Sequence, residues 1–201
     1  MNSGASIRPV ERIFREDWAE TPAARPITQA HVAHPELVLG VYGTGARELK
    51  KSHHDDIVGD PYYLWSGKCP GPWAVSLQHR RWLIDFRCGG LVRWRSRQSG
   101  DRKMRLIVES ADGTWLVSEQ GDDQTGPWHE FEIRLEEATW FRLDIAHAEK
   151  CERARNVDLS RMSAVGVSDL QAGGGADRCS RLDWIEAWGR PVLRSGVPDG
   201  V

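Results

Sequence analysis

The sequence lacks the features of a cysteine-stabilised or membrane-inserted protein. Its four cysteines, Cys69, Cys88, Cys151 and Cys179, are widely spaced and form no CxxC pair, which argues against a disulfide scaffold and a zinc or redox motif. No apolar run reaches the length of a transmembrane helix. Residues 1–12 also lack an apolar run long enough for a signal peptide. We therefore expect a cytoplasmic location, and a secreted one only if a leader had been removed.

The charge balance and the missing motifs exclude further classes of function. The chain has 27 basic and 29 acidic residues, so its composition gives no preference for nucleic acid or an anionic membrane. A serine-hydrolase elbow, an HExxH zinc pair, a Walker loop and a dinucleotide fingerprint are all absent. We expect a small-molecule or saccharide ligand, no nucleic-acid or membrane partner, and a monomer or small homo-oligomer.

Tryptophan and short strand-like segments are abundant. The chain has ten Trp residues, and from residue 37 onward runs of β-branched and aromatic residues alternate with Gly, Pro, Asp and Ser clusters. This pattern predicts an all-β, two-sheet antiparallel jelly-roll sandwich at 37–190, with little helix. An irregular N-terminal arm (1–36) packs on the sandwich, with a short edge strand at 13–14, and a C-terminal tail covers 191–201. The strands are expected at 37–42, 62–66, 73–79, 91–98, 103–110, 114–118, 130–135, 139–145, 164–168 and 181–188, and one helix at 146–155.

Two short turns predict how the central strands pair. Ser99-Gly100-Asp101 and Ala111-Asp112-Gly113 each join two strand-like runs closely enough for a hairpin, and Asp-Gly is a strong turn former. Residues 91–118 are therefore expected to form a three-stranded meander within one sheet.

Side chains alternate across a strand, so this meander is predicted to have one apolar and one cationic face. Val92 and Trp94 point to one side, while Arg93, Arg95 and Arg97 point to the other. The next strand adds Lys103 and Arg105 to the cationic side, and carboxylates such as Asp144 and Asp183 on later strands would separate the like charges. The face is either a solvated outer sheet with weak ion pairs or a concave ligand-binding surface, on which arginine would hold hydroxyl, carboxylate or phosphate groups. The candidate ligand-binding residues are Arg93, Arg95, Arg97, Arg105, Arg142, Asp144, Arg181, Tyr63, Trp65 and Trp115.

The polar segment 43–61 is the best candidate for a functional loop, because histidines and carboxylates crowd next to aromatic residues there. His53, His54, Asp55 and Tyr62 are candidate catalytic residues for acid–base chemistry. A solvated polar loop remains the simpler interpretation.

The C-terminal third resembles the galactose-binding-like jelly-roll superfamily, which includes many carbohydrate-binding modules. The resemblance depends on DLSRMSAVGV at 158–167, on RLDWIEAWG at 181–189 and on the hairpin at 111–117. It implies saccharide binding on a concave sheet or on apical loops, and a closing strand beside the N-terminal segment. It also implies a structural Ca²⁺ held by Asp17, Asp183 and Glu186. No other cofactor is expected.

Two functional hypotheses follow from these observations. The first is a non-catalytic domain that binds a saccharide or a similar polyhydroxylated or anionic molecule on the concave face. The second is a free-standing lyase, isomerase or hydrolase that acts on a sugar-like or anionic metabolite. A scaffold protein without a small ligand is a third possibility, and it predicts a flat polar sheet with no pocket.

Overall fold

Fourteen β-strands make up about half of the described chain, residues 9–172 and 177–195 of a computed structural model. The predicted all-β class is confirmed. Helical structure within these residues is limited to three short 3-10 turns, Gln29–His31, Ala46–Glu48 and Leu135–Glu137. The strands are β1 (Glu11–Glu16), β2 (Leu37–Tyr42), β3 (Lys50–Ser52), β4 (Tyr63–Trp65), β5 (Trp73–His79), β6 (Trp82–Asp85), β7 (Leu91–Gln98), β8 (Met104–Ser110), β9 (Trp115–Asp122), β10 (His129–Arg134), β11 (Trp140–Asp144), β12 (Glu149–Arg153), β13 (Met162–Asp169) and β14 (Ser180–Leu193).

The strands form two antiparallel sheets that share β14. In sheet A, β14 pairs with β7 on one side and with β1 and β4 on the other, β10 lies outside β7, and β3 lies outside β4. Sheet B runs β2-β5-β13-β8-β9-β11-β12. The last residues of β14 pair with β6, which also touches β13, so the strand passes from one sheet into the other.

The apolar sides of the two sheets pack against each other. Val92 and Trp94 of sheet A belong to the same fully buried cluster as Leu106, Val108 and Val165 of sheet B. Each of these residues alternates with a neighbour that faces away from the sandwich interior, as the period of two requires. Burial of these two faces is the main force that holds the sandwich together.

The predicted three-stranded meander is wrong. β7 pairs with β14 and β10, whereas β8 pairs with β13 and β9, so the 99–101 turn carries the chain from sheet A to sheet B. Only the hairpin at 111–113 forms as expected, between β8 and β9. Strand alternation specifies which side chains of a strand are buried. It does not specify which strands are neighbours, because two strands bury their apolar side chains equally well as neighbours in one sheet or as members of two facing sheets.

The predicted helix at 146–155 is also wrong. The segment forms a turn followed by β12, and Asp144 accepts a hydrogen bond from the backbone N–H of Ala146 (3.0 Å) at the start of that turn. Ala148 adopts a positive φ of 53°, which ends any helical path. All five residues of β12 are exposed, so the segment offers no apolar stripe that a helix would need to bury.

The terminal segments agree in part with the expected boundaries. β1 lies beside β14, as the edge strand at 13–14 and the resemblance both predict. β14 extends to Leu193, so the proposed tail from 191 begins inside a strand. Residues 1–8 of the arm and 196–201 of the tail lie outside the described residues.

Two further observations concern membrane-spanning helices and the cysteines. No helix within the described ranges is long and apolar enough to cross a membrane. The four cysteines all lie in the described part of the chain and form no disulfide, and Cys69 and Cys179 are buried.

Candidate functional site

The arginine row of β7 lies on the outer face of sheet A, and carboxylates of the same chain occupy it. Arg93 contacts Glu132 (3.0 Å) and Glu186 (3.7 Å). Arg95 donates to the buried carboxylate of Asp183 at 2.5 Å. Each of these pairs joins β7 to a neighbouring strand, so the predicted interleaving of arginine and carboxylate occurs on this face.

Cations of the chain also cover the aromatic rings of this face. Arg95 lies over Trp128 at 5.5 Å from the ring centroid, and Arg15 lies over Trp184 at 4.1 Å. Lys50 lies 5.3 Å from the ring centroid of Trp65 in the same way. Such contacts stabilise the face, but they leave less ring surface for a ligand. Of the other candidates here, Arg97 is exposed and Arg181 donates to the Ser99 hydroxyl (3.0 Å).

The loop that connects β3 to β4, residues 53–62, is called the histidine loop below. It lies at the end of sheet A. His53 stacks on Tyr62 with ring centroids 4.0 Å apart, and His54 contacts Asp60 through Nδ1 at 2.9 Å. The side chain of Asp55 is almost fully exposed, 3.3 Å from His53. Tyr63 is buried and its hydroxyl lies 3.4 Å from His54.

The histidine loop lies outside four cavities of the described chain. None of its histidines, nor Asp55, Asp60 or Tyr62, lines the cavities of about 600, 400, 290 and 220 Å³. The His54–Asp60 pair is therefore best explained as a polar contact that orders the loop. A catalytic role for these residues stays a prediction.

The three carboxylates implied as calcium ligands each contact an arginine, and Arg15 contacts both Asp17 and Glu186 (3.8 Å). Asp17 contacts Arg15 (2.8 Å), Asp183 contacts Arg95, and Glu186 contacts Arg93. No group of three or more His, Cys, Asp or Glu side chains in the described ranges is placed to hold a metal. These residues do not fit a Ca²⁺ ion, because the adjacent guanidinium groups would repel it.

The remaining ligand-binding candidates lie in sheet B, away from the arginine row. Arg105 and Trp115 are on β8 and β9, and Arg142 and Asp144 are on β11. The expected single cationic face of five residues is therefore wrong, because Arg105 belongs to the opposite side of the sandwich. Asp144 caps the turn after β11 and contacts His147 (2.8 Å).

Sheet B is concave on its outer face. The rings of Tyr42 on β2 and Trp115 on β9 touch edge to face, with centroids 5.4 Å apart. These strands are four positions apart in the sheet, about 19 Å at a normal strand spacing. Two side chains meet across that span only if the sheet curves toward its outer side. The Tyr42 ring can lie close to the sheet because Gly40 has no side chain. A Cβ atom on Gly40 would lie only 2.3 Å from the Tyr42 hydroxyl oxygen.

Hydrogen-bonding groups border the aromatic pair on this concave face. Glu109 on β8 is the direct cross-strand neighbour of Trp115 and accepts from the Ser163 hydroxyl at 2.5 Å. Gln78 on β5 points to the same side, since it alternates with the buried Leu77. The β11–β12 turn covers the neighbouring part of the face, where Ala148 packs with Ile107 and Val117.

Sequence reasoning found Trp115 but missed Tyr42, Glu109 and Gln78. The alternation of Ala74, Ser76 and Gln78 on β5 is the signal that was available, since small residues on an outer face leave room for a ring. The contact of Trp115 with Tyr42 was not predictable in this way. Tyr42 is distant in sequence, and the two rings meet only because the five strands from β2 to β9 form a curved sheet.

Comparisons with known proteins find only distant similarity to solved structures. No protein-family model matches the sequence, and no curated protein matches it. The family 11 carbohydrate-binding module of the cellulosomal cellulase Lic26A-Cel5E of Clostridium thermocellum is 9% identical, with 92% of this chain and 97% of that chain covered and a TM-score of 0.47. A structure of TmCBM61 in complex with β-1,4-galactotriose is 13% identical, with 76% and 88% covered and a TM-score of 0.43. An exo-β-agarase is 15% identical over 80% of this chain but only 24% of that chain, with a TM-score of 0.48. The chain is an all-β protein built as an antiparallel sandwich of two sheets.

Proposed function

We propose that this protein binds a saccharide, or a similar polyhydroxylated small molecule, on the concave outer face of sheet B beside Trp115. The observation that carries the proposal is the contact between Trp115 and Tyr42 across that face. Both rings are partly exposed and no cation of the described chain lies over either of them. They differ in this from Trp65, Trp184 and Trp188 of sheet A, each of which lies under a cation.

The chemistry of this face suits a sugar ring. A pyranose presents apolar C–H groups on its faces and hydroxyls around its edge, so it is matched by an aromatic surface with polar groups beside it. Glu109 accepts hydrogen bonds from hydroxyls, and the side-chain NH₂ of Gln78 donates, while its oxygen accepts from Arg194 at 3.0 Å. The resemblance of 158–167 and 181–189 to carbohydrate-binding modules leads to the same expectation.

A role for Arg93, Arg95, Arg97 and Arg181 in ligand binding stays a prediction. A ligand on sheet A would have to compete with Glu132, Glu186 and Asp183 for the guanidinium groups of Arg93 and Arg95. On the concave face the partly exposed rings of Trp115 and Tyr42 have no cation over them, which is why we favour it.

Calorimetric titration with a panel of neutral oligosaccharides tests the proposal. We expect Trp115→Ala to lower the affinity about tenfold or more, which corresponds to about 1.4 kcal/mol. Trp128→Ala on sheet A is the matched control and should leave binding unchanged. The proposal fails if the wild type binds no neutral saccharide at millimolar concentration, or if the control variant is the one that loses binding.

A further inference from the structure

A cavity of about 600 Å³ opens at the end of the sandwich, beside the β8–β9 turn. The turn lines one side, and the segment between β12 and β13 lines the other. The cavity lies away from the concave face, because Leu116 and Arg142, which line it, alternate with the outward-facing Trp115 and Phe141. Its volume falls in the range typical of small-molecule sites.

Arginine dominates the charge of this cavity. Arg142, Arg153, Arg155 and Arg161 all line it, against two carboxylates, so the charged lining has a net charge of +2. Arg142 contacts the exposed Glu152 at 3.1 Å. Within the described residues, the guanidinium groups of the other three have no hydrogen-bond or ion-pair partner.

The two carboxylates of the cavity are engaged elsewhere. Asp112 accepts from the Ser110 hydroxyl and from the backbone N–H of Thr114 (2.9 Å), which orders the β8–β9 turn. Asp158 accepts from the backbone N–H of Ser160 at 2.9 Å. Neither forms an ion pair with an arginine of the described chain, although the charge of Arg142 adds to the hydrogen bonds from Ser110 and Thr114 that lower the pKa of Asp112.

Unpaired like charges around one cavity repel each other, and a bound anion removes that repulsion. Guanidinium groups offer paired N–H donors that match the oxygens of carboxylate, sulfate and phosphate. Asn156, Ser110 and Thr114 add neutral polar groups to the lining. A cavity of about 220 Å³ adjoins this one and shares Arg153 and Asn156 with it, so the lined surface continues past the first cavity.

We infer that this cavity is a binding site for an oxyanion (a carboxylate, sulfate or phosphate group) held by the guanidinium groups of Arg153, Arg155 and Arg161. The site is separate from the saccharide face proposed above, since the two share no residue. Either can fail without the other.

Titration of the full chain at constant ionic strength tests this inference. The probes are sodium sulfate, sodium phosphate, glucuronate and oligogalacturonate, with glucose as the uncharged reference. We expect at least one anion to bind at millimolar concentration or below, and Arg155→Ala/Arg161→Ala to weaken it about tenfold or more, since charge-assisted hydrogen bonds are lost. Preference for the uronate oligomer would identify an acidic saccharide as the source of the anion. Preference for sulfate or phosphate would identify a free ion.

Two controls separate a built site from a diffuse positive field. Arg47→Ala/Lys68→Ala removes the same charge from exposed positions outside the cavity and should change the affinity less than twofold. Arg155→Lys/Arg161→Lys keeps the charge but removes the paired N–H donors, so it should bind the anion more weakly than the wild type. This variant replaces the alanine variant in the test if the alanine variant fails to fold. The inference is overturned if no anion binds the wild type, if the outside control weakens binding equally, or if the lysine variant binds as tightly as the wild type.

Discussion

The guanidinium of Arg95 lies 2.5 Å from the carboxylate of Asp183, in the gap where the β7–β14 register shifts by one residue. Asp183 is only 6% exposed, and burial raises the pKa of its carboxyl, while the hydrogen bond from Arg95 lowers it. Arg95 therefore compensates the buried negative charge of Asp183, on a face whose other ion pairs are those of a solvated sheet.

Removing Arg95 is expected to destabilise the fold. In Arg95→Ala the buried Asp183 loses its partner, which costs about 1–3 kcal/mol of unfolding free energy at neutral pH. The cost should shrink as pH falls, because protonation neutralises the unpaired carboxyl. Urea denaturation measures it. Arg97→Ala, at an exposed position of the same strand, should leave the free energy of unfolding unchanged. Adding Asp183→Asn to the Arg95→Ala variant should restore most of the loss. Equal stability of Arg95→Ala and wild type would refute this.

The carboxylate of Glu16 ties the N-terminal arm to the sandwich. It is fully buried and accepts backbone hydrogen bonds from Trp18 (2.8 Å), Ala33 (2.7 Å) and His34 (2.9 Å). Burial raises the pKa of this carboxyl, and the three N–H donors lower it.

Glu16→Gln tests this connection. The amide NH₂ replaces an oxygen that faces an N–H donor, so at least one buried hydrogen bond is lost, at a cost of about 1–3 kcal/mol. Thermal unfolding and limited proteolysis of the 17–34 segment should both report it. Glu11→Gln, at an exposed position of the same strand, should have no effect, and similar protease resistance in both variants would argue against the assignment.

His79 is expected to make stability depend on pH. Burial lowers its pKa from 6.5 to about 4, with His34, Arg81 and Arg194 adding to the shift and Glu36 opposing it. Because the folded pKa lies below the unfolded one, stability is present above pH 6.5 and falls as pH drops toward 4, by on the order of 2–3 kcal/mol.

Denaturation at pH 7.5 and 4.5, for the wild type and His79→Asn, checks the size and source of this loss. The backbone N–H of Arg81 donates to Nδ1 of His79 at 3.1 Å, and an asparagine oxygen can accept the same bond without titrating. The variant should lose less stability on acidification. An identical loss in both proteins would assign the pH dependence to other groups.

The cysteines should differ in reactivity by position. Burial raises the pKa of the Cys69 thiol to about 12, and Cys179 is also fully buried, whereas Cys88 and Cys151 are exposed. A thiol reagent at pH 8 should therefore modify two cysteines in the folded protein and all four after denaturation. Rapid modification of three or four thiols in the native state would contradict the assigned burial.

The residues of β7 show how far sequence reasoning reached. The alternation of Val92 and Trp94 with Arg93 and Arg95 predicted the buried and outer sides of the strand correctly, since a period of two belongs to any strand. It placed Arg105 on the wrong face, because alternation carries no information about which strand lies next to which. The ion pairs of Arg95 with Asp183 and of Arg93 with Glu186 depend on β14, which lies some ninety residues away.

By itself the sequence determined the all-β class, most strand positions and the inward side of each strand, because these follow from local propensity and from the need to bury apolar side chains. Only the tertiary structure decided that β7 and β8 lie in different sheets, that Tyr42 meets Trp115 and that four arginines surround one cavity. Such contacts join residues far apart in sequence, and they are selected by the packing of whole sheets.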